Sequence, residues 1–273
     1  MASRKEQKDA ARQRRLAEEQ AAQARAQRTR RMQMLGGVLV AVIVAVVVVV
    51  IVSASGNKST PKITNVKATN SAAQQVNTLL KGIPQSGTTL GNPHAKVTFT
   101  EYGDLQCPIC KDFSESAEVK LIQNEVRSGK VKLVYKSFET ASRDPNAAPN
   151  AWPAQQTAAY AAGAQHKAWN YILLFYREQQ TENTPYVTPS FLTSLAKAIP
   201  GLNVKTWNTD RQNPKYAQEV ISQNKFASTM PFQGGPSTAG TPALIAASGS
   251  KQTTAIAGDL PYSSVQKLIK QVS

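Results

Sequence analysis

The apolar and polar positions divide the chain into three stretches. From Leu35 to Val52, eighteen consecutive residues carry neither a charge nor a strongly polar group. That is enough to cross a hydrocarbon layer of roughly 30 Å at about 1.5 Å per residue, so with the preceding methionines residues 32–52 are expected to form a single transmembrane helix. Residues 53–88 come next, mostly small, polar and dotted with lysine, and read as a linker; Val76, Leu79 and Leu80 form a short apolar patch ended by Gly82-Ile83-Pro84. The folded domain is expected over 89–273.

Within that domain the period changes several times. Val97-Thr98-Phe99-Thr100-Glu101-Tyr102 alternates and is β-branched or aromatic at most positions, which predicts a strand. Phe113, Ala117 and Leu121, with Ile122 and Val126 beside them, then lie on one face of a helix that Ser128-Gly129 stops. Val131, Leu133 and Tyr135 face one way and Lys132 and Lys136 the other, as in a second, more exposed strand. Strand, helix, strand implies a parallel pair with a right-handed crossover. From about 149 to 228 the pattern is helical, with Thr188-Pro189 and Asn213-Pro214 each setting an N-cap residue before proline at the first helical position. A Gly/Pro-rich loop leads to Thr241-Pro242-Ala243-Leu244-Ile245, again of strand character, with Thr253 to Ala257 as a candidate hairpin partner. Val265, Leu268, Ile269 and Val272 give the last helix one apolar face. The fold class is therefore α/β, with a helical insertion at about 149–228 in a strand-helix-strand scaffold.

Charge adds orientation to this picture. Residues 1–31 hold ten Lys/Arg against four Asp/Glu, which is +6 and leaves +9 of the total +15 for the rest. Arg25, Arg28, Arg30 and Arg31 stand directly before the apolar run and keep the N-terminus in the cytoplasm by the positive-inside rule, placing the domain outside. The competing reading of the run is a cleaved signal peptide cut near Ser53-Ala54-Ser55, but it is longer than the usual h-region and follows a thirty-residue tail. The tail has no aromatic interleaving or nucleic-acid motif, so its arginines are assigned to orientation and anionic headgroups; no nucleic acid is expected as a partner.

The chemistry concentrates in Cys107-Pro108-Ile109-Cys110, which holds the two cysteines of the chain. Three residues apart on a helix, both sulfurs share a face, and Pro108 suits the first helical position. Cys107 then caps the helix beside its amide ends, where the field favours thiolate, the nucleophile of disulfide exchange. The strand's period puts Glu101 on the face of Val97 and Phe99, where a buried carboxyl with a raised pKa would exchange protons with a nearby thiol; a solvated glutamate at the strand's end fits the period equally well. A structural disulfide would close a tiny loop and stabilise little. Zinc normally needs four ligands, and His94 and His166 are far from the cysteines in sequence, so no metal and no cofactor is expected.

These features together resemble the DsbA-like branch of the thioredoxin-fold disulfide oxidoreductases, in its membrane-anchored bacterial form. The resemblance rests on Glu101 six positions before Cys107, the Cys-Pro-Ile-Cys helix, the helical insertion, Gly240-Thr241-Pro242 before a late strand, and the phrases GIPQSGTTLGNPHAKVTFTEYGDLQCPIC and ENTPYVTPSFLTSLAKAIPGL; it covers about 81–273. It implies that Cys107 is the attacking thiolate, Cys110 the buried resolving thiol and Glu101 the family's buried acid. It further implies a cis peptide bond at Pro242, with Thr241 offering backbone to a bound peptide. The implied function is to introduce disulfides into reduced or unfolded exported proteins, with reoxidation by a quinone-linked membrane oxidase such as a vitamin K epoxide reductase-like protein. A disulfide reductase or isomerase, or a non-catalytic peptide-binding chaperone module, are the alternatives. One position departs from the pattern: the best-known members carry histidine where this chain has Ile109, which supplies neither charge nor hydrogen bond. A less depressed Cys107 pKa and a weaker oxidant follow.

Overall fold

The computed structural model describes residues 66–143, 151–182 and 184–273. The predicted basic tail (1–31), the transmembrane span (32–52) and the first part of the linker lie outside these residues. Among the described residues no helix is long and apolar enough to cross a membrane.

The linker assignment is corrected from Val66 onward. Helix α1 (Val66–Leu80) buries Ala73, Val76 and Leu80 in the main core. Its apolar stripe is a single narrow line at spacings of three and four, diluted by Asn, Gln and Thr, and its partner surface lies far along the chain; local composition therefore resembles a tether. Strands β1 (Gln85–Ser86) and β2 (Thr89–Leu90) follow as a tight hairpin.

The sheet is built around β3 (Val97–Gly103), which alternates as expected: Val97, Phe99 and Glu101 point into the core. Helix α2 (Pro108–Glu115) and helix α3 (Ala117–Leu121), separated at Ser116 and continued by a π-helical turn over Ile122–Val126, lead to β4 (Val131–Ser137), parallel to β3 with Glu101 opposite Tyr135. Strand β4 is not an exposed strand: β2 pairs along its other side, so it lies inside the sheet with Val131, Leu133 and Tyr135 fully buried. Its lysines find places on the opposite face, Lys132 Nζ donating to the Pro93 carbonyl at 3.0 Å and Lys136 Nζ lying 5.5 Å over the Tyr102 ring. Strand β5 (Ala243–Ser248) runs antiparallel on the other side of β3, and the short strands β6 (Lys251–Gln252) and β7 (Ile256–Ala257) both pair with β5.

Five helices form the insertion: α4 (Ala151–Gly163), α5 (Ala168–Arg177), α6 (Pro189–Ala198), α7 (Val204–Asp210) and α8 (Pro214–Ala227). The proline-led starts are as expected, with the Thr188 side chain accepting from Phe191 N–H and Asn213 from Lys215 N–H. Residues Ala168 to Tyr176 of α5 are buried all round. A helix without a polar face must be enclosed, and α5 is: it packs on α1, α2, α4 and α6. Trp169 meets Tyr135 edge-on and Trp207 stacks on Tyr171, so the insertion and the sheet share one core. The last helix, α9 (Tyr262–Val272), turns Val265, Leu268 and Val272 onto the sheet.

Candidate active site

Cys107 is the N-cap of α2, with extended backbone (φ −74°, ψ 120°) and Pro108 at the first helical position. The end of β3 sets this placement. Cys107 N–H donates to the Asp104 carbonyl at 2.9 Å, closing a turn, and the Asp104 carboxylate holds the surrounding backbone: it accepts from the N–H groups of Gln106, Thr140 and Ser142, from Ser142 Oγ at 2.7 Å and from Gln155 Nε2 at 3.0 Å. From the insertion, Gln179 Nε2 donates to the carbonyls of Leu105 (2.8 Å) and Cys107 (3.1 Å).

The two thiols are free and differ in their surroundings. Cys110 is fully enclosed, whereas Pro108 and Ile109, 42% exposed, form the outer lip. The Cys107 pKa falls to about 7, chiefly because the Cys110 thiol donates a hydrogen bond to its sulfur; partial burial opposes this, and Thr241 and the Cys110 backbone N–H assist. For Cys110 the direction is reversed: burial pushes it well above the ordinary thiol value, and its bond to Cys107 and the charges of Cys107 and Glu101 push the same way. One sulfur is thus ready to ionise and leave near neutral pH, and the other holds its proton.

Thr241 and Pro242 stand across from the cysteines as expected, joined by a cis peptide bond. Cys107 Sγ lies 3.4 Å from the Thr241 carbonyl oxygen, and the Thr241 hydroxyl bonds that of Thr140. Glu101 is fully buried, which decides between the two readings of the strand's period. Its charge is among the influences that push the Cys110 pKa up. Burial raises the Glu101 pKa to about 7, while hydrogen bonding from Glu118 and Tyr176 pulls the other way. The Tyr176 hydroxyl reaches Glu101 Oε1 at 3.4 Å, and Oε2 has no partner. Gly103 leaves room for this group: a Cβ there would come within 2.6 Å of the Tyr135 ring, 2.8 Å of the Tyr176 hydroxyl and 3.1 Å of Glu101 Oε1.

All seven residues singled out in the sequence, Glu101, Cys107, Pro108, Ile109, Cys110, Thr241 and Pro242, therefore meet around one end of β3. Asp104, Glu118, Tyr176 and Gln179 were not anticipated. Their roles depend on partners tens of residues away, except that Cys110, Ser114 and Glu118 follow one another at helical spacing, and all three are buried. His94 and His166 are exposed and take no part. Among the described residues no group of acidic, histidine or cysteine side chains is arranged to hold a metal.

A family model described as thioredoxin matches residues 85–238, more than half of the chain, and spans both cysteines while ending short of Thr241. The chain is 24% identical over 150 residues to the probable disulfide bond formation protein D of Bacillus anthracis, covering 55% of this chain and 67% of that one. It is 24% identical over 174 residues to the disulfide bond formation protein D of Bacillus subtilis, covering 61% and 74%. Among solved structures, oxidised BdbD from Bacillus subtilis superposes with a TM-score of 0.54 at 20% identity, over 69% of this chain and 95% of that one. The alpha-DsbA1 of Wolbachia pipientis gives 0.52 at 16% identity, over 71% and 92%.

Proposed function

The chain belongs to the thioredoxin family and is a thiol–disulfide oxidoreductase; from that premise we propose that it introduces disulfides into exported proteins through Cys107 and Cys110. The observation that supports this most is the asymmetry of the two sulfurs, with Cys107, at the N-cap of α2, lowered to about 7 and Cys110, fully enclosed, raised. A substrate thiolate attacks Cys107 Sγ of the oxidised pair. The Cys107–Cys110 bond breaks, its electron pair passes to Cys110, and Cys110 takes a proton. A second substrate thiolate then attacks the substrate sulfur of the mixed disulfide, and Cys107 leaves as a thiolate, a good leaving group at this pKa. The substrate loses two electrons and the dithiol gains them.

To Glu101, whose charge raises the Cys110 pKa, we assign the supply of that proton and its return on reoxidation. Thr241 and Pro242, across from Cys107, form the wall against which a substrate's extended backbone lies. The domain works outside the cytoplasm, tethered by residues 32–52, and is reoxidised by a disulfide-bearing membrane oxidase of the vitamin K epoxide reductase-like kind; the support for this is the apolar run, the arginines before it, and the sequence resemblance.

Reduced, unfolded protein mixed with the Cys110→Ala variant, whose Cys107 has first been converted to a mixed disulfide with glutathione, tests the cycle: a substrate thiolate attacks Cys107 Sγ and the glutathione thiolate leaves. A mixed disulfide between substrate and Cys107 is expected to accumulate, visible on non-reducing gels, while the parent, supplied with oxidised glutathione, oxidises the same substrate catalytically. No adduct, together with undiminished activity in the variant, would sink the reading. Disulfide reduction faster than oxidation in a glutathione buffer would turn it toward a reductase.

A further inference from the structure

Glu118 takes no part in the exchange described above, yet it is fully buried in α3, and neither carboxyl oxygen completes a hydrogen bond of ordinary geometry. A buried carboxyl without such partners is unfavourable, and glutamate is almost never enclosed in this way unless paired. The groups that face it explain the enclosure. From β3 comes Glu101, close enough for the two carboxyls to act on each other, and from α5 comes the half-buried guanidinium of Arg177, which also feels Glu115 of α2. Around Glu101 in turn stand Cys110 of α2, Tyr176 of α5 and Tyr135 of β4, all buried.

Two carboxyls in one dry pocket do not both ionise readily, so the pair keeps a proton where a lone surface acid has lost it. Burial holds the Glu118 pKa well above the usual carboxylate range, and the Glu101 charge adds to this. The Arg177 guanidinium opposes this only in part, and the Tyr176 hydroxyl, which donates to Glu101 Oε1 at 3.4 Å, favours the charge on Glu101, so the retained proton is assigned to Glu118.

We propose that Glu118 is a positioning residue for the proton acceptor of the dithiol: as a neutral acid it donates a hydrogen bond to the Glu101 carboxylate and so keeps Glu101 able to take the Cys110 proton near neutral pH. This rests on the dithiol cycle proposed above. In disulfide closure by oxidised glutathione, Cys107 first forms a mixed disulfide and expels one glutathione thiolate. The Cys110 S–H proton then passes to Glu101, and the sulfur's electron pair attacks Cys107 Sγ. As the Cys107–Cys110 bond forms, the bond to the second glutathione breaks and that thiolate leaves. Glu118 holds its proton throughout.

Two measurements test this. In the reduced full-length chain, infrared or carbon NMR titration of isotope-labelled glutamate should find one buried carboxyl ionising near pH 7 and another still protonated there. Two buried carboxyls both ionised by about pH 5, as for ordinary glutamates, would overturn the proposal. The pH profile of disulfide closure by oxidised glutathione should keep its midpoint in Glu118→Gln, whose amide also donates, and move upward by about one pH unit, a tenfold loss of rate below the midpoint, in Glu118→Leu. An unmoved midpoint in the leucine variant, or a glutamine variant displaced as far, would equally overturn it. Should the leucine variant fail to fold, the titration of the parent and the glutamine profile still decide. Glutathione closes the pair whatever the natural substrate is, so failure to oxidise unfolded proteins would count against the proposed function and not against the role of Glu118.

Discussion

Two buried carboxyls stand three residues apart where β3 ends, and they are surrounded in opposite ways. Asp104 collects five donors, three from backbone N–H groups and two from the side chains of Ser142 and Gln155. Glu101 receives one long contact from Tyr176, has no ordinary donor on Oε2, and otherwise meets only a second buried acid, Glu118. A carboxylate with every lone pair engaged fixes its surroundings; one short of donors is poised to change protonation. Asp104 thus holds the turn that presents Cys107, whereas Glu101 is left short of donors, as the proton-transfer role proposed for it requires. The difference between them separates the frame of the site from its chemistry.

The strongest way to break this comparison is at Asp104. In Asp104→Ala five buried donors lose their acceptor, each bond to a charged group being worth about 1.5 to 3 kcal/mol; after relaxation and water entry the net loss is expected to be about 4 kcal/mol or more in denaturant unfolding. Asp104→Asn, which keeps one carbonyl oxygen, should lose about half of that. A loss below about 1 kcal/mol in the alanine variant would mean the turn is held by other contacts, and Asp104 would no longer mark the frame.

Glu101 should respond in the opposite sense. Its folded pKa lies at about 7, above the usual carboxylate range. Between that range and pH 7 the unfolded chain has released the proton and the native state has not, so the share of stability linked to Glu101 is fully present in acid and is lost as pH rises to its folded pKa. The share carried by Glu101 is about 3 kcal/mol, spread over roughly two and a half pH units. Glu101→Gln is therefore expected to flatten the decline in stability between about pH 4.5 and pH 8 by that amount, while slowing disulfide closure near neutrality by about 100-fold. An unchanged stability profile would show that Glu101 titrates as an ordinary acid, and the contrast with Asp104 would disappear.

This contrast also marks what was readable in the sequence. The alternation of β3, the Cys-Pro-Ile-Cys turn, the proline-led starts of α6 and α8 and the apolar face of α9 are local patterns, and each element formed where its pattern lies. That Asp104 differs from Glu101 is not local: its donors lie up to 51 positions away, on a 3₁₀ turn and on α4. The same holds for α1, whose three core residues are meaningful only against distant partners, chiefly α5, and for β4, which is interior because a two-residue strand pairs along its edge. Glu118 carried a faint signal in its four-residue steps from Cys110 through Ser114. Among charged neighbours on a short helix, that spacing does not distinguish a buried acid from a solvated one.

The smallest expected effect lies on the frame's outer lip, at Ile109. The fall of the Cys107 pKa to about 7 is produced mainly by Cys110, with Thr241 and backbone assisting, and the exposed Ile109 contributes no charge or hydrogen bond. Ile109→His places an imidazole there, a hydrogen-bond donor and, when protonated, a cation. The Cys107 titration, followed by thiolate absorbance near 240 nm, should then move down by about one pH unit, a tenfold larger thiolate-to-thiol ratio at any pH below the midpoint. Ile109 is exposed and makes none of the Asp104 bonds, so unfolding of the reduced protein near pH 5, where Cys107 is protonated in both states, should change by less than about 0.5 kcal/mol. At pH 8 a lower folded pKa instead stabilises the reduced form, because the unfolded thiol still holds its proton there. A variant stabilised at pH 8 and unchanged at pH 5 would mean that the lip adjusts redox poise through thiolate charge alone, independently of the carboxyl that holds the turn.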